Sequence, residues 1–306
     1  MNINGDMFRA YDIRGIAGGD LTDDAAYLVG RAFATYLARE RPPGPVVVGR
    51  DNRPSGDTLQ PALVRGLLDS GRDVVDIGVV PTPVLYWALR KLPVVGGAQV
   101  TASHNPREYN GVKLSVDTDA LDGERLQDLL AFVREDALVP PARPPAGRRA
   151  ESLLDQYVRD IVARAGRPSC PLRVVMDCGN GTASVVAPAL FRTLGVDHTP
   201  LFCESDGTFP NHPPDPSVAA NLRALSETVR ATGADLGVAF DGDADRIGVV
   251  DDRGDFVPGD RLLAIYAQEV LDRTGRGQPI VFDVKASRAL SEAIRAAGGV
   301  PIMWKT

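Results

Sequence analysis

Residues 46–78 read VVVGRDNRPSGDTLQPALVRGLLDSGRDVVDIG, and their pattern indicates the fold class. A β-branched run ends at a polar loop, an amphipathic helical segment follows, a glycine ends it, and a second apolar run begins. The same order recurs at residues 172–202 and 279–304. Strand-length apolar runs that alternate with helix-period segments are typical of β-α-β units. The sequence therefore predicts an α/β chain of successive similar α/β/α modules with mixed, mostly parallel sheets.

A proline-rich segment separates the first two modules. Residues 138–150, LVPPARPPAGRRA, contain too much proline for a helix or a central strand and are typical of a semi-rigid linker. A glycine-containing turn near residue 254 precedes a new helix and indicates a second boundary. We therefore predict domain 1 over residues 1–148, domain 2 over 149–254, and a partial domain 3 over 255–306, which is too short for a self-standing domain of this type.

Composition and charge narrow the range of partners. The 306 residues include 34 Lys and Arg against 40 Asp and Glu, for a formal net charge of -6, and 44% are hydrophobic. The sequence has no excess of basic residues that would favour binding to nucleic acid or to an anionic membrane. No apolar stretch approaches the roughly 18 residues that suggest a membrane span. The amino terminus lacks the apolar region of a signal peptide, so we expect a cytoplasmic protein with small-molecule partners.

The three cysteines suggest no special chemistry. Cys170, Cys178 and Cys203 are an odd set without CxxC spacing, so a disulfide framework is not expected. We interpret them as buried thiols.

An acidic triplet directly follows an apolar run in AFDGDADRIGVV. Asp241, Asp243 and Asp245 alternate, so in an extended chain they would point to one face at the carboxyl edge of the sheet, where α/β proteins bind ligands. Crowded carboxylates repel one another unless a cation joins them, and an all-oxygen ligand set favours Mg²⁺. A solvated acidic turn is one alternative. A phosphatase with an aspartyl nucleophile is another, and this motif alone leaves it open.

Ser103 lies in TASHNP, which follows another apolar run. Taken alone, Ser103 is expected to cap a turn. A serine hydrolase is disfavoured, because no GxSxG elbow is present and the side chain of the adjacent His104 is expected to diverge from Ser103. A phosphorylated serine would need a cation and basic donors. The Asp-bound Mg²⁺ together with Lys113, His104 and Arg246 can supply them.

Other polar and glycine positions are ambiguous on their own. Tyr11 and Arg14 lie in the irregular opening AYDIRG, and Lys285 lies at a strand end in DVKAS. Gly179 and Gly181 of DCGNG are interpreted as turn glycines rather than as a dinucleotide-binding fingerprint.

Eight collinear motifs resemble the α-D-phosphohexomutases, specifically the bacterial phosphomannomutase/phosphoglucomutase branch. They are FRAYDIRG, VGRDNRPSG, GVVPTPVLYWA, TASHNPREYNGVKL, DCGNG, DGTFPNHPPDP, AFDGDADRIGVVD, and FDVKAS with GGVPIMWKT. The resemblance implies a four-domain enzyme whose first three domains share one α/β topology. It also implies a reversible shift of phosphate between O1 and O6 of a hexose phosphate, such as mannose or glucose phosphate, through a bound 1,6-bisphosphate.

The same resemblance implies a role for each candidate residue. Ser103 would be the phosphoserine, and a phosphoserine oxygen would share one Mg²⁺ with Asp241, Asp243 and Asp245. The side chains that support the transferring group would be those of Lys113 and Arg246, beside His104. The residues that line the substrate cleft would be Tyr11, Arg14 and Lys285. Glucose 1,6-bisphosphate or a similar compound would be an activator, and we expect a monomer.

The family pattern continues beyond the end of this sequence. In the family, WKT is followed by a Gly-His segment, a Glu-Ser-Gly-His loop that contacts sugar hydroxyls, and a fourth domain that binds the non-transferred phosphate. These parts are absent from the 306 residues, so we expect a truncated mutase with little or no mutase activity by itself. The alternative function is a Mg²⁺-dependent sugar-phosphate phosphatase or an inactive phosphosugar-binding fragment.

Overall fold

The computed structural model describes residues 3–305, which form sheets of seven, five and two strands. Met1, Asn2 and Thr306, at the outer ends of the predicted first and third domains, lie outside the described residues. Within residues 3–305, none of the helices combines the length and the apolar character needed to cross a membrane.

The first sheet contains the strands of residues 46–78. Its strands are β1 (Ile13–Ile16), β2 (Val46–Arg50), β3 (Val74–Val79), β4 (Gly96–Val100), β5 (Tyr109–Val116), β6 (Asp119–Ala120) and β7 (Arg148–Ala150). They are ordered β1-β5-β4-β2-β3-β7, and β6 pairs with β5. Strands β4, β2, β3 and β7 run parallel, whereas β5 is antiparallel to both β1 and β4. Its helices are α1 (Asp23–Glu40), α2 (Gly56–Asp69), α3 (Thr82–Lys91) and α4 (Gly123–Arg134).

Strand β2 is apolar at successive positions because both faces of the sheet are covered. Val46 and Val48 pack into a core shared with α1, α2 and α4. Val47 packs into a second core that includes Val84 and Leu85 of α3. Side chains of a strand alternate between faces, so a strand between two helical layers needs apolar residues on both.

The second and third sheets follow in chain order. The second contains β8 (Arg173–Asp177), β9 (Asp197–Leu201), β10 (Leu236–Phe240), β11 (Ile247–Val250) and β12 (Phe256–Val257), in the order β12-β11-β10-β8-β9. The third pairs β13 (Pro279–Asp283) with β14 (Val300–Trp304). The helices of this part are α5 (Leu154–Ala165), α6 (Ala187–Leu194), α7 (Arg223–Thr232), α8 (Gly259–Thr274) and α9 (Arg288–Ala296). Short 3-10 helices lie at Gly5–Met7, Thr182–Val185 and Ala219–Leu222.

The order that recurs in the sequence corresponds to one repeated unit. In β2-α2-β3, β8-α6-β9 and β13-α9-β14, a helix joins two parallel strands that lie side by side. The predicted fold class, successive α/β/α modules with mixed and mostly parallel sheets, is confirmed. Residues 138–147 of the proline-rich segment contain no helix or strand, and its last residues form the edge strand β7 beside β3.

The cysteines differ from expectation at one position. Cys178 is buried and Cys203 is partly buried, but Cys170 is exposed. The interpretation as buried thiols is therefore wrong for Cys170, because this residue lies in the connection between α5 and β8 rather than in a strand.

Candidate functional site

Ser103 lies in the loop that joins β4 to β5, at the carboxyl end of β4. The loop turns where the amide of Asn105 donates to the carbonyl of Ala102 at 3.0 Å. Ser103 has a φ of +52°, in the left-handed region that residues with a side chain rarely adopt. Its amide donates to Thr101 Oγ1 at 2.9 Å, and the residue is buried. The hydrogen bonds of the turn therefore hold Ser103 in a strained backbone conformation.

The acidic triplet lies in the loop between β10 and β11. Asp241 and Asp243 are buried, Asp245 is exposed, and one oxygen of each lies within 4.8 Å of the others. We expected an extended chain to direct them to one face, but the loop is a tight turn in which Ala244 has a φ of +56°. The amides of Asp245 and Arg246 both donate to Asp241 Oδ1 at 3.0 Å. Hydrogen bonds within a turn, rather than strand alternation, bring the carboxylates together.

The serine loop and the acidic loop meet between the first and second sheets. Ser103 Oγ donates to Asp241 Oδ2 at 2.7 Å, although the two residues are 138 positions apart. Their approach depends on Gly242, because a Cβ at this position would lie 2.5 Å from the carbonyl oxygen of Ser103. Thr82, which sequence reasoning missed, adds a second connection by donating its hydroxyl to Asp243 Oδ2 at 2.7 Å.

Lys113 lies against the same carboxylates. Its Nζ is 2.8 Å from Asp243 Oδ2 and 2.5 Å from Asp245 Oδ2. Burial by itself would lower the pKa of Lys113, but the charges of Asp243 and Asp245 more than offset burial and hold this pKa above its ordinary value. The ammonium group is therefore charged at neutral pH and offsets part of the negative charge of the triplet.

Two observations bear on whether the triplet fits a metal ion. Burial, and then the charges of Asp243 and Asp245, raise the pKa of Asp241 to about 8. Oδ1 of Asp243 is buried and has no hydrogen-bond partner among the described residues. A divalent cation with oxygen ligands would lower the repulsion and pair the free oxygen. The donor set therefore fits Mg²⁺.

A cleft of about 540 Å³ opens beside Ser103. Six of the predicted site residues line it: Tyr11, Arg14, Ser103, Lys113, Asp245 and Arg246. Sequence reasoning missed three further polar residues that line it, which are Arg9, Asp12 and Tyr86. Several cationic side chains around one opening suit a phosphorylated ligand, because charge-assisted hydrogen bonds to phosphate are strong.

His104 lies next to the serine hydroxyl, contrary to expectation. Its Nδ1 is 3.3 Å from Ser103 Oγ, within reach of a hydrogen bond. The expected divergence of the two side chains is absent because the left-handed backbone at Ser103 changes the direction of both. Burial, followed by the charge of Arg246, lowers the pKa of His104 below its ordinary value. The imidazole is therefore neutral at pH 7.

The two predicted arginines hold different parts of the cleft. Arg14 donates from Nη1 to Asn105 Oδ1 at 2.8 Å and also pairs with Asp12, so it contacts the serine loop directly. The side chain of Arg246 is about half exposed, and its Nε lies 3.8 Å from Asp245 Oδ1. Arg246 is therefore freer to reach a ligand than Arg14 is.

Lys285 and Tyr11 are both exposed, but they lie in different places. Tyr11 is 59% exposed and lines the cleft beside Ser103. Lys285 follows β13, where its Nζ is 3.6 Å from Asp283 Oδ2, and it is not among the described residues that line this cleft. The structure does not bring Lys285 to the other candidates.

Arg53 is the most buried functional candidate that sequence reasoning missed. Its side chain is fully buried, and Nε donates to Asp51 Oδ2 at 3.1 Å. The other two nitrogens donate at 2.7 to 3.1 Å to four main-chain carbonyls, those of Ser103, Asn105 and Pro106 in the serine loop and that of Tyr109 at the start of β5. The available signal was the charged loop GRDNRPSG at the carboxyl end of β2, the edge at which α/β sheets place functional residues.

Comparisons with known proteins agree along most of the chain. The family description "Phosphoglucomutase/phosphomannomutase, alpha/beta/alpha domain I" matches residues 5–129, and the corresponding description of domain II matches residues 155–254. A phosphomannomutase/phosphoglucomutase from Pseudomonas putida KT2440 is 48% identical over 303 residues, which cover 98% of this chain and 64% of that protein. A phosphoglucomutase from Neisseria meningitidis serogroup A is 44% identical over 306 residues, which cover 100% of this chain and 65% of that protein.

A solved structure has the same architecture. A phosphoglucomutase/phosphomannomutase family protein from Burkholderia thailandensis is 40% identical and superposes with a TM-score of 0.94. The match covers 100% of this chain and 67% of that one. The chain therefore spans about two thirds of the length of the proteins it matches.

Proposed function

Because the chain belongs to the phosphoglucomutase/phosphomannomutase family, we propose that it carries the phosphoryl-transfer site of a phosphohexomutase. This enzyme moves phosphate between O1 and O6 of a hexose phosphate, such as mannose or glucose phosphate, through a phosphoserine and a bound 1,6-bisphosphate. The observation that carries the proposal is the contact of Ser103 Oγ with Asp241 at the edge of a cleft lined by cationic side chains.

Each half of the reaction exchanges one oxygen on phosphorus for another. In the first half, a free hydroxyl of the hexose monophosphate bonds to the phosphorus on Ser103 while the bond from phosphorus to Oγ breaks. The resulting bisphosphate turns over in the cleft, and in the second half Oγ bonds to the other phosphorus. Such transfers depend on alignment and on neutralising charge. Lys113 and Arg246 line the cleft and supply positive charge to the transferring group.

The acidic triplet would hold the metal ion. Asp241, Asp243 and Asp245 offer oxygens within 4.8 Å of one another, and an oxygen of phosphorylated Ser103 would complete the set. When bound, Mg²⁺ offsets negative charge on the transferring phosphate. Lys113 offsets part of the negative charge of the triplet, since its ammonium group pairs with Asp243 and Asp245.

His104 is placed to handle the serine proton. Ser103 loses the proton on Oγ when it takes up phosphate and regains one when it gives phosphate away. The neutral Nδ1 of His104 is 3.3 Å from Oγ and can accept that proton.

The positions of the carboxylates favour serine over aspartate as the nucleophile. Ser103 lines the cleft, whereas Asp241 and Asp243 are fully buried. Asp243 Oδ2 also accepts hydrogen bonds from Thr82 and Lys113. An aspartyl nucleophile would need an open face toward the substrate, so this arrangement supports the mutase over a phosphatase that uses Asp241 or Asp243 as its nucleophile.

The remaining assignments belong to the same proposal. Tyr11 and Arg14 contact the substrate, and Lys285 joins them when substrate is bound. One Mg²⁺ per chain is the cofactor, glucose 1,6-bisphosphate or a similar compound is an activator, and the protein is a cytoplasmic monomer. The chain divides into domains over residues 1–148, 149–254 and 255–306.

The experiment follows phosphate on the serine by intact-mass spectrometry. The purified chain is measured alone and after incubation with glucose 1,6-bisphosphate and Mg²⁺. We expect one phosphate per chain, mapped to Ser103, and none in Ser103→Ala. In the complete enzyme, Ser103→Ala is expected to abolish conversion of mannose 1-phosphate to mannose 6-phosphate. Undiminished conversion by that variant would refute the proposal.

A further inference from the structure

Two thiols lie side by side where two neighbouring parallel strands end. Cys178 directly follows β8, and Cys203 is the second residue after β9. The amide of Cys178 donates to the carbonyl of Leu201 at 3.0 Å, and that of Asn180 donates to the carbonyl of Phe202 at 2.8 Å. Main-chain hydrogen bonding therefore continues past the ends of both strands and keeps the two cysteines together.

The sulfur atoms are close enough to bond after a small movement. Sγ of Cys178 is 2.7 Å from Sγ of Cys203. A disulfide bond is roughly 2.05 Å long, so closure needs a displacement of less than about 1 Å. Side-chain rotation can supply this displacement without separating the strands.

We propose that Cys178 and Cys203 form a modification site, at which a small disulfide such as glutathione disulfide converts the two thiols into a reversible intramolecular disulfide. This site is independent of the proposed mutase function, because it uses none of the residues assigned to phosphate, metal or sugar.

Exposure and hydrogen bonding set the order in which the thiols react. Cys203 is partly exposed, whereas Cys178 is buried. A hydrogen bond from the Cys178 thiol lowers the pKa of the Cys203 thiol despite partial burial. The thiolate is the reactive form of cysteine, so Cys203 reacts with the oxidant before Cys178 does.

The reaction balances as two thiol–disulfide exchanges. The Cys203 thiolate attacks one sulfur of glutathione disulfide, so a mixed disulfide forms and one glutathione thiolate leaves. Cys178 then attacks Sγ of Cys203, the protein disulfide forms, and the second glutathione leaves. The two protons of the protein thiols end on the two glutathione molecules, so one disulfide is reduced while two protein thiols are oxidised.

The site lies directly beneath the acidic loop. Thr182, four residues after Cys178, donates from its amide and its hydroxyl to the carbonyl of Gly242, at 2.9 and 3.1 Å. Gly181 is also in close contact, since a Cβ there would be 2.7 Å from the same carbonyl oxygen. The disulfide would therefore anchor the segment that supports the loop of Asp241 and Asp243.

The test uses the 306-residue chain and glutathione disulfide. After incubation, free thiols are alkylated with iodoacetamide and the chain is mapped by mass spectrometry without reduction. We expect alkylation at Cys170 and a linked pair of peptides that contain Cys178 and Cys203. Before alkylation, the mass of the oxidised chain should be two hydrogens lower than that of the reduced chain. Dithiothreitol should make the thiols of Cys178 and Cys203 available to alkylation again. The Cys170→Ser variant should form the same disulfide.

The variants distinguish the proposed order from nonspecific oxidation. Cys178→Ser is expected to retain one glutathione on Cys203, because no second thiol displaces it. Cys203→Ser is expected to leave Cys178 reduced, and near-native melting temperatures establish that both variants are folded. Alkylation of all three cysteines after oxidation, or a stable glutathione adduct or a link between chains at Cys178 or Cys203 of the unsubstituted chain, would overturn the proposal.

Discussion

Replacing Arg53 with lysine tests whether a buried guanidinium holds the serine loop in place. The side chain of Arg53 makes five hydrogen bonds, one to Asp51, three to carbonyls of the serine loop and one to the carbonyl of Tyr109 at the start of β5. A lysine ammonium has three donors on one nitrogen. Arg53→Lys therefore removes at least two of the five hydrogen bonds, inside a site from which solvent is excluded.

The expected loss follows from this count. A hydrogen bond from a charged donor contributes roughly 1.5 to 3 kcal/mol, so the loss of two costs about 3 to 6 kcal/mol. Domains are typically stable by about 5 to 15 kcal/mol, so Arg53→Lys should fold but should be clearly less stable than the unsubstituted chain. The loss should be concentrated in the serine loop, because three of the four carbonyls that Arg53 contacts belong to it and the fourth, that of Tyr109, directly follows it.

Two measurements and one control check this prediction. Urea unfolding, followed by the fluorescence of Trp87, gives the change in unfolding free energy, and amide hydrogen exchange of residues 101–110 reports the loop. Arg31→Lys is the matched control, because Arg31 is 7% exposed and its side chain makes two hydrogen bonds, to the Val139 carbonyl and the Tyr27 hydroxyl, which the three donors of lysine are enough to replace. If Arg53→Lys loses no more stability than Arg31→Lys and the loop exchanges at the same rate, the reasoning is wrong.

Two other substitutions have defined outcomes. Gly242→Ala places a Cβ 2.5 Å from the carbonyl oxygen of Ser103, so we expect about 1 to 3 kcal/mol less stability in urea unfolding and weaker Mg²⁺ binding by calorimetry; unchanged values would contradict the close approach. His212 Nε2 is 3.1 Å from Asp177 Oδ2, and although burial acts in the opposite direction, this contact raises the pKa of His212. The stabilisation that protonated His212 gives to the folded chain is then complete below about pH 6.5 and is lost as pH rises through the raised pKa of His212. The stability difference between the unsubstituted chain and His212→Gln should therefore shrink from about pH 6 to pH 9, and a constant difference would count against it.

Features that depend on local periodicity were predictable from the sequence. The valines of β2 and the glycine after α2 predict a strand, a helix and a second strand, because strand alternation and helical period depend on residues that are neighbours in the chain. The same logic placed Ser103 and Asp241 at the carboxyl ends of strands, the edge where α/β sheets bind ligands. Edge strand β7 was not predicted, because its three residues, which pair with β3, lie at the end of a proline-rich segment that was interpreted as a linker.

Features that depend on main-chain conformation were predicted less well. His104 was expected to diverge from Ser103, but a φ of +52° at Ser103 brings Nδ1 to 3.3 Å from Oγ. The acidic triplet was expected in extended chain, yet a turn at Ala244 brings its members together. Residue types alone do not reveal left-handed backbone at serine or alanine, since both rarely adopt it.

The sequence by itself determined the repeated β-α-β units, the serine turn and the spacing of the acidic triplet, because each depends on residues close together in the chain. Tertiary structure alone decided which distant residues meet. It placed Ser103 Oγ 2.7 Å from Asp241 and set Cys178 beside Cys203. Sheet order and the close approach at Gly242 produce these contacts, and both arise from packing between segments far apart in sequence, which no local pattern encodes.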